Sequence, residues 1–367
     1  MNVGVFHPAL NICGGAEWVA VNIINSLKKA DHKITLLTNE KVNQEKIMRM
    51  FGQRVNIDSQ IIFPFEIFST TDLHNVYSDF IRSFVLKSKC EFLIDTYSNA
   101  ILPATDATYI HFPFFKRIPT RANTISRLKN LYYFPYGKYE KQAAKNPRRI
   151  IFANSKFTKA AIKETLDIEA NLLYPPISRQ FLENGPSVAE RHRKNTVVTV
   201  ARIARGKNLL IIPYIAKLTK NISFSIVGIY QSAEVLNSLR ESIKRLGVSE
   251  RVRIITNVSR NNLKQMLDRS KIFLHTSIGE HFGVSIVEAM ARGCIPVVHD
   301  SGGPRETVPK HFRYASPEEA SEKIKNAIEE WSPSQARKAI EIASRFNEES
   351  FSRRFLETIN ISELYSR

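Results

Sequence analysis

Cysteine is scarce, with only Cys13, Cys90 and Cys294 in 367 residues. Odd in number and widely spaced, they offer neither a disulfide framework nor a clustered thiolate site for zinc, and they fit a reducing cytoplasm. Long apolar runs are missing too. None approaches the roughly 20 residues that cross a bilayer, and residues 1–6 lead straight into a strand-like segment without the features of a signal peptide. The chain is therefore expected to be neither exported nor membrane-spanning. Acidic residues are in short supply: 35 Asp and Glu stand against 53 Lys and Arg, a formal net charge of +18. Such an excess predicts an anionic partner, whether nucleic acid, an anionic membrane surface or a phosphate-bearing substrate, and the sign alone does not choose among them.

What is present is a repeated α/β pattern. The length suits two domains of roughly 150 to 200 residues. Residues 3–6 read as a buried strand, 11–15 as a loop, 16–29 as an amphipathic helix and 34–38 as the next strand, a β-α-β unit whose default is a right-handed parallel crossover. Further strands are expected near 55–61, 92–94, 107–110 and 150–153, and Ser155 is placed to cap the helix that follows the last of them. Pro175-Pro176 and the polar stretch 183–195 mark a domain boundary. Beyond it the architecture repeats, with strands expected at 196–200, 223–227, 252–255, 272–275 and 295–298. Residues 351–365 close the chain as a helical pattern, with Phe351, Phe355, Ile359 and Leu364 at near-helical spacing. Open parallel sheets of this kind bind ligands at the carboxyl ends of their strands.

Those ends carry the informative residues. In G-E-H-F-G-V-S-I-V-E, residues 279–288, Glu280 and Glu288 lie eight positions apart around Gly283, at a strand-to-helix turn. A backbone without a Cβ at Gly283 admits a close ligand, and the opening helix offers unpaired amides to oxygens. Two carboxylates flanking such amides suit a polyhydroxylated ligand with a phosphate. Arg202 and Lys207 stand five residues apart around Gly206, a guanidinium and an ammonium able to converge on a diphosphate. Gly14-Gly15 falls at the first strand-to-helix turn without forming G-x-G-x-x-G, so the dinucleotide fingerprint is absent. His111 directly follows the strand 107–110, where it could hydrogen-bond or carry charge. Residues 112–149 hold ten basic side chains, among them Lys116, Arg117, Arg148 and Arg149, against one acid, Glu140, interleaved with ten aromatic and leucine side chains. That mixture fits an anionic membrane interface, a nucleic-acid surface, or a helical insertion with its aromatics turned inward.

Taken together and in order, Gly14-Gly15, His111, Arg202 with Lys207, Glu280-x7-Glu288 and Ser301-Gly302-Gly303-Pro304 resemble the retaining glycosyltransferases of family GT4. That family has the GT-B fold, an α/β architecture of two Rossmann-like domains whose parallel sheets face a central cleft. The wording at residues 11–18 (N-I-C-G-G-A-E-W), Tyr109-Ile110-His111-Phe112-Pro113 and Glu280-His281-Phe282-Gly283 looks most like the Alg11-type α-1,2-mannosyltransferases, which extend lipid-diphosphate-linked oligosaccharides from GDP-mannose. The eukaryotic members carry an N-terminal membrane anchor, which this chain is expected to lack.

The resemblance implies an acceptor-binding domain over 1–176, with a C-terminal helix at about 348–367 packing back onto it, and a nucleotide-sugar domain over 177–347. Glu288 would bind the ribose. Glu280 and the backbone of His281, Phe282, Gly283 and Val284 would hold the donor hexose, and Arg202 and Lys207 the diphosphate. Val258 would lie near the base, His111 near the hexose, and Gly14 and Gly15 near the diphosphate or acceptor. No cofactor is implied, and with no D-x-D pair in the sequence no metal either. The expected partners are a nucleotide-diphosphate sugar, a lipid-linked glycan and an anionic membrane surface, without nucleic acid, for a protein held peripherally at a cytoplasmic face. Two alternatives remain: a GT4 enzyme using a UDP-sugar or a non-lipid acceptor, and a non-catalytic basic scaffold.

Overall fold

The computed structural model describes residues 1–63, 75–117, 124–186 and 192–359. The chain divides into two compact units, Met1–Pro176 together with the segment from Glu349 onward, and Ile177–Glu348. Positions Leu364 and Tyr365 of the closing helical pattern lie outside the described residues.

In the first unit, short runs of apolar residues buried on both faces form the inner parallel strands, as such runs do when helices cover a sheet on both sides, and the two edge strands are less buried. The strands are β1 (Asn2–Phe6), β2 (Lys33–Thr38), β3 (Ser59–Ile62), β4 (Phe92–Asp95), β5 (Ala107–Ile110), β6 (Ile150–Ala153) and β7 (Asn171–Leu172). Their order in the sheet is β3-β2-β1-β4-β5-β6-β7, all parallel. The direction of winding reverses between β1 and β4, so a crevice opens beyond their carboxyl ends. The helix Gly15–Lys29 returns the chain from β1 to β2 and buries Trp18, Val21, Ile24 and Leu27. Ser155 caps the helix Lys156–Leu166 as expected, its hydroxyl accepting the Thr158 amide at 3.0 Å. The closing helix, Glu348–Ile359, buries Phe351, Phe355 and Ile359, and Phe355 packs on Phe152 of β6 with ring centroids 5.7 Å apart.

The second unit repeats the plan with β8 (Lys194–Val200), β9 (Ser223–Gly228), β10 (Val252–Thr256), β11 (Ser270–His275), β12 (Ile295–His299) and β13 (Arg313–Tyr314). The sheet order is β10-β9-β8-β11-β12-β13, again parallel, and it reverses between β8 and β11. One apolar core, including Val197, Phe224, Ile226, Leu274 and Val297, is shared by the sheet and its helices.

Two expectations about chain organisation need correction. The strand expected at 55–61 is Ser59–Ile62, because Val55 is buried in a loop whose backbone is held by Gln44: its amide donates to Gln44 Oε1 and its carbonyl accepts from Gln44 Nε2. The polar stretch 183–195 is not a free connector where it is described. Arg292 donates to the carbonyls of Phe181, Glu183 and Gly185, and Arg193 to those of Leu267, Ser270 and Arg292, which fastens both ends of the stretch to the second unit. Residues 187–191 of it lie outside the described residues. Among the described residues no helix is long and apolar enough to cross a membrane.

Candidate active site

In the second unit the site is built at the carboxyl ends of β8 and β11. The loop after β11 carries Glu280, and the helix Val284–Ala291 starts four residues later with Gly283 as its N-cap at φ +91°. That backbone conformation is one L side chains rarely adopt, so glycine is required there. The amides of Val284 and Ser285, the first two of the helix, point out of its open end, as at any helix start. Gly302 and Gly303 allow the loop after β12 to lie directly on this turn. A Cβ at Gly302 would come within 2.2 Å of the Glu280 carbonyl, and one at Gly303 within 2.0 Å of the His281 carbonyl. Gly303 donates its amide to Glu280 O at 2.8 Å, and the Gly279 amide reaches Ser301 Oγ at 2.7 Å.

The Glu280 side chain is fully engaged. Its Oε2 accepts from Lys207 Nζ at 2.8 Å and lies 3.4 Å from His275 Nε2, while Oε1 accepts the His281 amide at 3.1 Å. Burial pushes this carboxyl up, but the contact with His275 and the Lys207 ammonium outweigh it and hold it well below the ordinary carboxylate value. Lys207 is itself fixed from behind, its carbonyl accepting from Thr276 Oγ1 at 2.7 Å. Glu288 is buried on the helix and binds Arg260 Nη1 through Oε1 at 2.9 Å. The Arg260 guanidinium in turn lies over the Phe181 ring, 4.9 Å from its centroid. Phe282 is buried against Phe346, and Val258 is half-buried in the loop after β10.

The two carboxylates expected to flank free amides each carry a cation of their own, Lys207 on Glu280 and Arg260 on Glu288. Of the two cations expected at the diphosphate, Lys207 is held by Glu280 and Arg202 is exposed just after β8. Sequence reading missed His275 and Arg260. His275 was marked only as a strand end. Arg260 opens the helix Arg260–Arg269 two residues after Val258, the residue expected near the base, which is the available signal.

In the first unit, Gly14 precedes the helix Gly15–Lys29 and gives its amide to Glu17 Oε2 at 2.6 Å. Glu17 is buried, which pushes its carboxyl up, but His7 beside it and the amide bonds outweigh this and leave it below the ordinary value. His111, at the end of β5, donates from Nε2 to the Thr96 carbonyl at 3.2 Å, and its own amide reaches Asn99 Oδ1 at 2.8 Å.

The basic segment resolves into different kinds of residue. Arg149 is not a surface cation: its guanidinium donates to the carbonyls of Leu102 and Pro103 and to Thr105 Oγ1. Lys116 pairs with Glu164, Arg148 is exposed, and the Arg117 side chain lies outside the described residues. Along the helix Thr124–Ala144, Tyr133 and Tyr136 turn inward onto Tyr77 and Phe80, whereas Leu131 and Phe134 are 71% and 56% exposed. Glu140 is buried and accepts the Ile101 amide at 2.8 Å. Burial pushes its carboxyl up to about 8, so it is neutral at pH 7.

Residues 181–351 match the family described as "Glycosyl transferases group 1". A Dictyostelium discoideum protein named GDP-Man:Man(3)GlcNAc(2)-PP-Dol alpha-1,2-mannosyltransferase is 25% identical over 299 residues, 70% of this chain and 59% of that protein. The Homo sapiens protein of the same name is 24% identical over 98% of this chain and 86% of its own length. Among solved structures, Anabaena HepE in complex with UDP and glucose superposes with a TM-score of 0.73 at 17% identity, covering 98% of this chain and 99% of that one. Sucrose-phosphate synthase from Thermosynechococcus elongatus gives 0.76 at 11% identity, covering 100% and 99%. These likenesses establish the fold as GT-B.

Proposed function

The chain carries a glycosyl transferases group 1 domain at residues 181–351, and from that premise we propose that it transfers mannose from GDP-mannose to a lipid-diphosphate-linked oligosaccharide at the cytoplasmic face of a membrane. The single observation that carries this reading is the turn at residues 279–288. It combines a helix start, two carboxylates and a fixed ammonium on one loop pair, and the curated relatives that the chain matches are named for this reaction.

The chemistry follows from the partners of each group. Arg260 occupies Oε1 of Glu288, so Oε2 is the atom assigned to the ribose hydroxyls. Glu280 spends one of the three N–H donors of Lys207, and the other two, with the exposed guanidinium of Arg202, are assigned to the departing diphosphate. Donors fixed before the reaction stabilise developing negative charge without reorganising. Glu280 therefore acts by orienting Lys207 and the hexose rather than as a nucleophile. From the first unit, His111 is assigned to the transferred hexose and the Gly14-Gly15 turn to the diphosphate or acceptor. The chain's own residues supply this stabilisation without a metal or cofactor in the proposed scheme.

The membrane contact is assigned to the exposed apolar side chains of two neighbouring helices. Ile81, Phe84 and Val85 are exposed on the helix Asn75–Lys87, which packs against the helix Thr124–Ala144 through Tyr77 and Phe80. On the helix Thr124–Ala144, Leu131 and Phe134 are exposed, with Lys138 over the Phe134 ring at 4.6 Å. Lys141, Lys145 and Arg148 continue the exposed surface, and the one acid of that helix segment is buried. Each cation near an anionic surface contributes about 1 kcal/mol, and the apolar side chains add roughly 25 cal/mol per Å² removed from water.

Labelled mannose is expected to pass from GDP-mannose to a lipid-diphosphate glycan embedded in anionic vesicles. Leu131→Glu with Phe134→Glu should lower both the vesicle-bound fraction in flotation and this transfer by about tenfold or more, while transfer to a short-chain, water-soluble acceptor persists. Equal flotation by the wild type and the double variant would remove the membrane assignment. Transfer to the soluble acceptor only would leave a non-lipid acceptor as the better reading.

A further inference from the structure

We infer that His7, Glu17 and Thr96 are positioning residues for the transfer reaction, tying the Gly14-Gly15 turn to His111 through one string of buried polar contacts. The inference rests on the transferase reading proposed above and concerns residues that reading leaves without a role.

The string can be followed atom by atom. The Gly14 amide donates to Glu17 Oε2 at 2.6 Å, and Glu17 Oε1 faces His7 Nε2 at 3.6 Å. His7 Nδ1 lies 2.9 Å from Thr96 Oγ1. That hydroxyl donates to the Phe6 carbonyl at 3.2 Å, so it presents a lone pair to the imidazole and places a proton on Nδ1. Nε2 is buried, has no hydrogen-bond partner within ordinary distance, and faces the Glu17 carboxylate. At the far end the Thr96 carbonyl accepts from His111 Nε2 at 3.2 Å. Tyr97 meets the His7 ring edge-on at 5.5 Å, and Asp95 is the other carboxyl close enough to act on it.

Three features separate this string from ordinary core packing. His7 and Thr96 are fully buried and Glu17 nearly so, so none of the three contacts a substrate directly. A buried imidazole and carboxylate cost free energy that an apolar pair of similar volume would avoid. The string also joins segments that follow three different strands, β1, β4 and β5, and its two ends are the two segments of this unit assigned to substrate. A Cβ at Gly14 would stand 2.9 Å from Glu17 Oε2, so a side chain there would shift that carboxylate.

The test uses the full chain with GDP-mannose and a lipid-diphosphate glycan. Thr96→Val keeps the shape and removes the hydroxyl, Thr96→Ser keeps the hydroxyl, and Glu17→Gln keeps an acceptor for Gly14 while removing the charge. Thr96→Val and Glu17→Gln are expected to lower kcat by about tenfold or more, the scale of a small misplacement of reacting groups, with donor KM within about threefold. Thr96→Ser should return to near the wild-type kcat. Melting midpoints, followed by circular dichroism, report the folded fraction. An active wild type with Thr96→Val and Glu17→Gln turning over at its rate per folded molecule would overturn the inference alone. A wild type that transfers nothing from any nucleotide sugar would overturn the transferase reading and the inference with it.

Discussion

Glu280→Gln is expected to lower the rate of hexose transfer by about 10²- to 10³-fold, the scale of removing a fixed electrostatic group from an active site. The amide keeps the shape of the side chain but loses the charge that holds Lys207 Nζ at 2.8 Å and faces His275 at 3.4 Å. With the carboxylate gone, the ammonium is released to solvent and no longer waits in place for the diphosphate. Steady-state kcat with GDP-mannose is the measurement, and nucleotide affinity should change far less than kcat. A kcat within threefold of wild type would reduce Glu280 to a loop carboxylate. The same variant carries a pH signature. Because the folded protein holds this carboxyl well below its ordinary value, its contribution to stability is present above the unfolded value of about 4.3. It is lost as pH falls through the folded one. The wild type's stability advantage over Glu280→Gln should therefore shrink in acid.

Asp268→Asn is expected to give the largest loss of stability. Asp268 and Arg292 are both fully buried, and the guanidinium binds both carboxylate oxygens, Nε to Oδ1 at 2.6 Å and Nη2 to Oδ2 at 2.9 Å. Removing one partner of a buried pair leaves an uncompensated charge and costs about 3 to 5 kcal/mol. For a unit of this size that corresponds to a fall in Tm of roughly 10 °C, followed by thermal denaturation. Arg292→Met added to Asp268→Asn should recover only part of the loss. Removing the charge relieves the unpaired cation, but the carbonyls of Phe181, Glu183 and Gly185 then lose their donor. A Tm within 2 °C of wild type for Asp268→Asn would contradict this account of how the start of the second unit is fastened.

How much of this could be read from the sequence depended on the range over which each feature is determined. The helix Val284–Ala291 and the glycine before it were legible because a strand-end apolar run, a glycine and a helical pattern are local signals. The inner strands of both sheets were legible for the same reason, being short apolar runs between turns, whereas the two-residue edge strands β7 and β13 were not among those expected. The cations on Glu280 and Glu288 were not, because Lys207 and Arg260 come from the loop after β8 and the helix after β10, and sheet topology alone brings them together. Arg149 looked like surface charge until the loop 102–105 was placed beneath it. Glu140 counted as the one acid in a basic stretch, whereas burial and the Ile101 amide make it a neutral part of the core. That change leaves the exposed helix face more positive than the sequence count implied. Val55 read as a strand residue because its apolar character is local, while its backbone partner, Gln44, is not.

The central claim is that the turn at residues 279–288 holds a guanosine diphosphate sugar. The most direct test is a thermal-shift titration of the whole protein with GDP, UDP and ADP and with GDP-mannose and UDP-glucose, repeated for Glu288→Ala. A ligand that binds only the folded protein raises the midpoint by mass action, by about 2.7 kcal/mol at a hundredfold excess over Kd. GDP and GDP-mannose are expected to stabilise the wild type and to lose that effect in Glu288→Ala, with UDP and ADP species weaker. Stabilisation by UDP species alone would contradict the GDP-mannose assignment, and stabilisation that survives in Glu288→Ala would contradict the placement of the nucleotide at this turn.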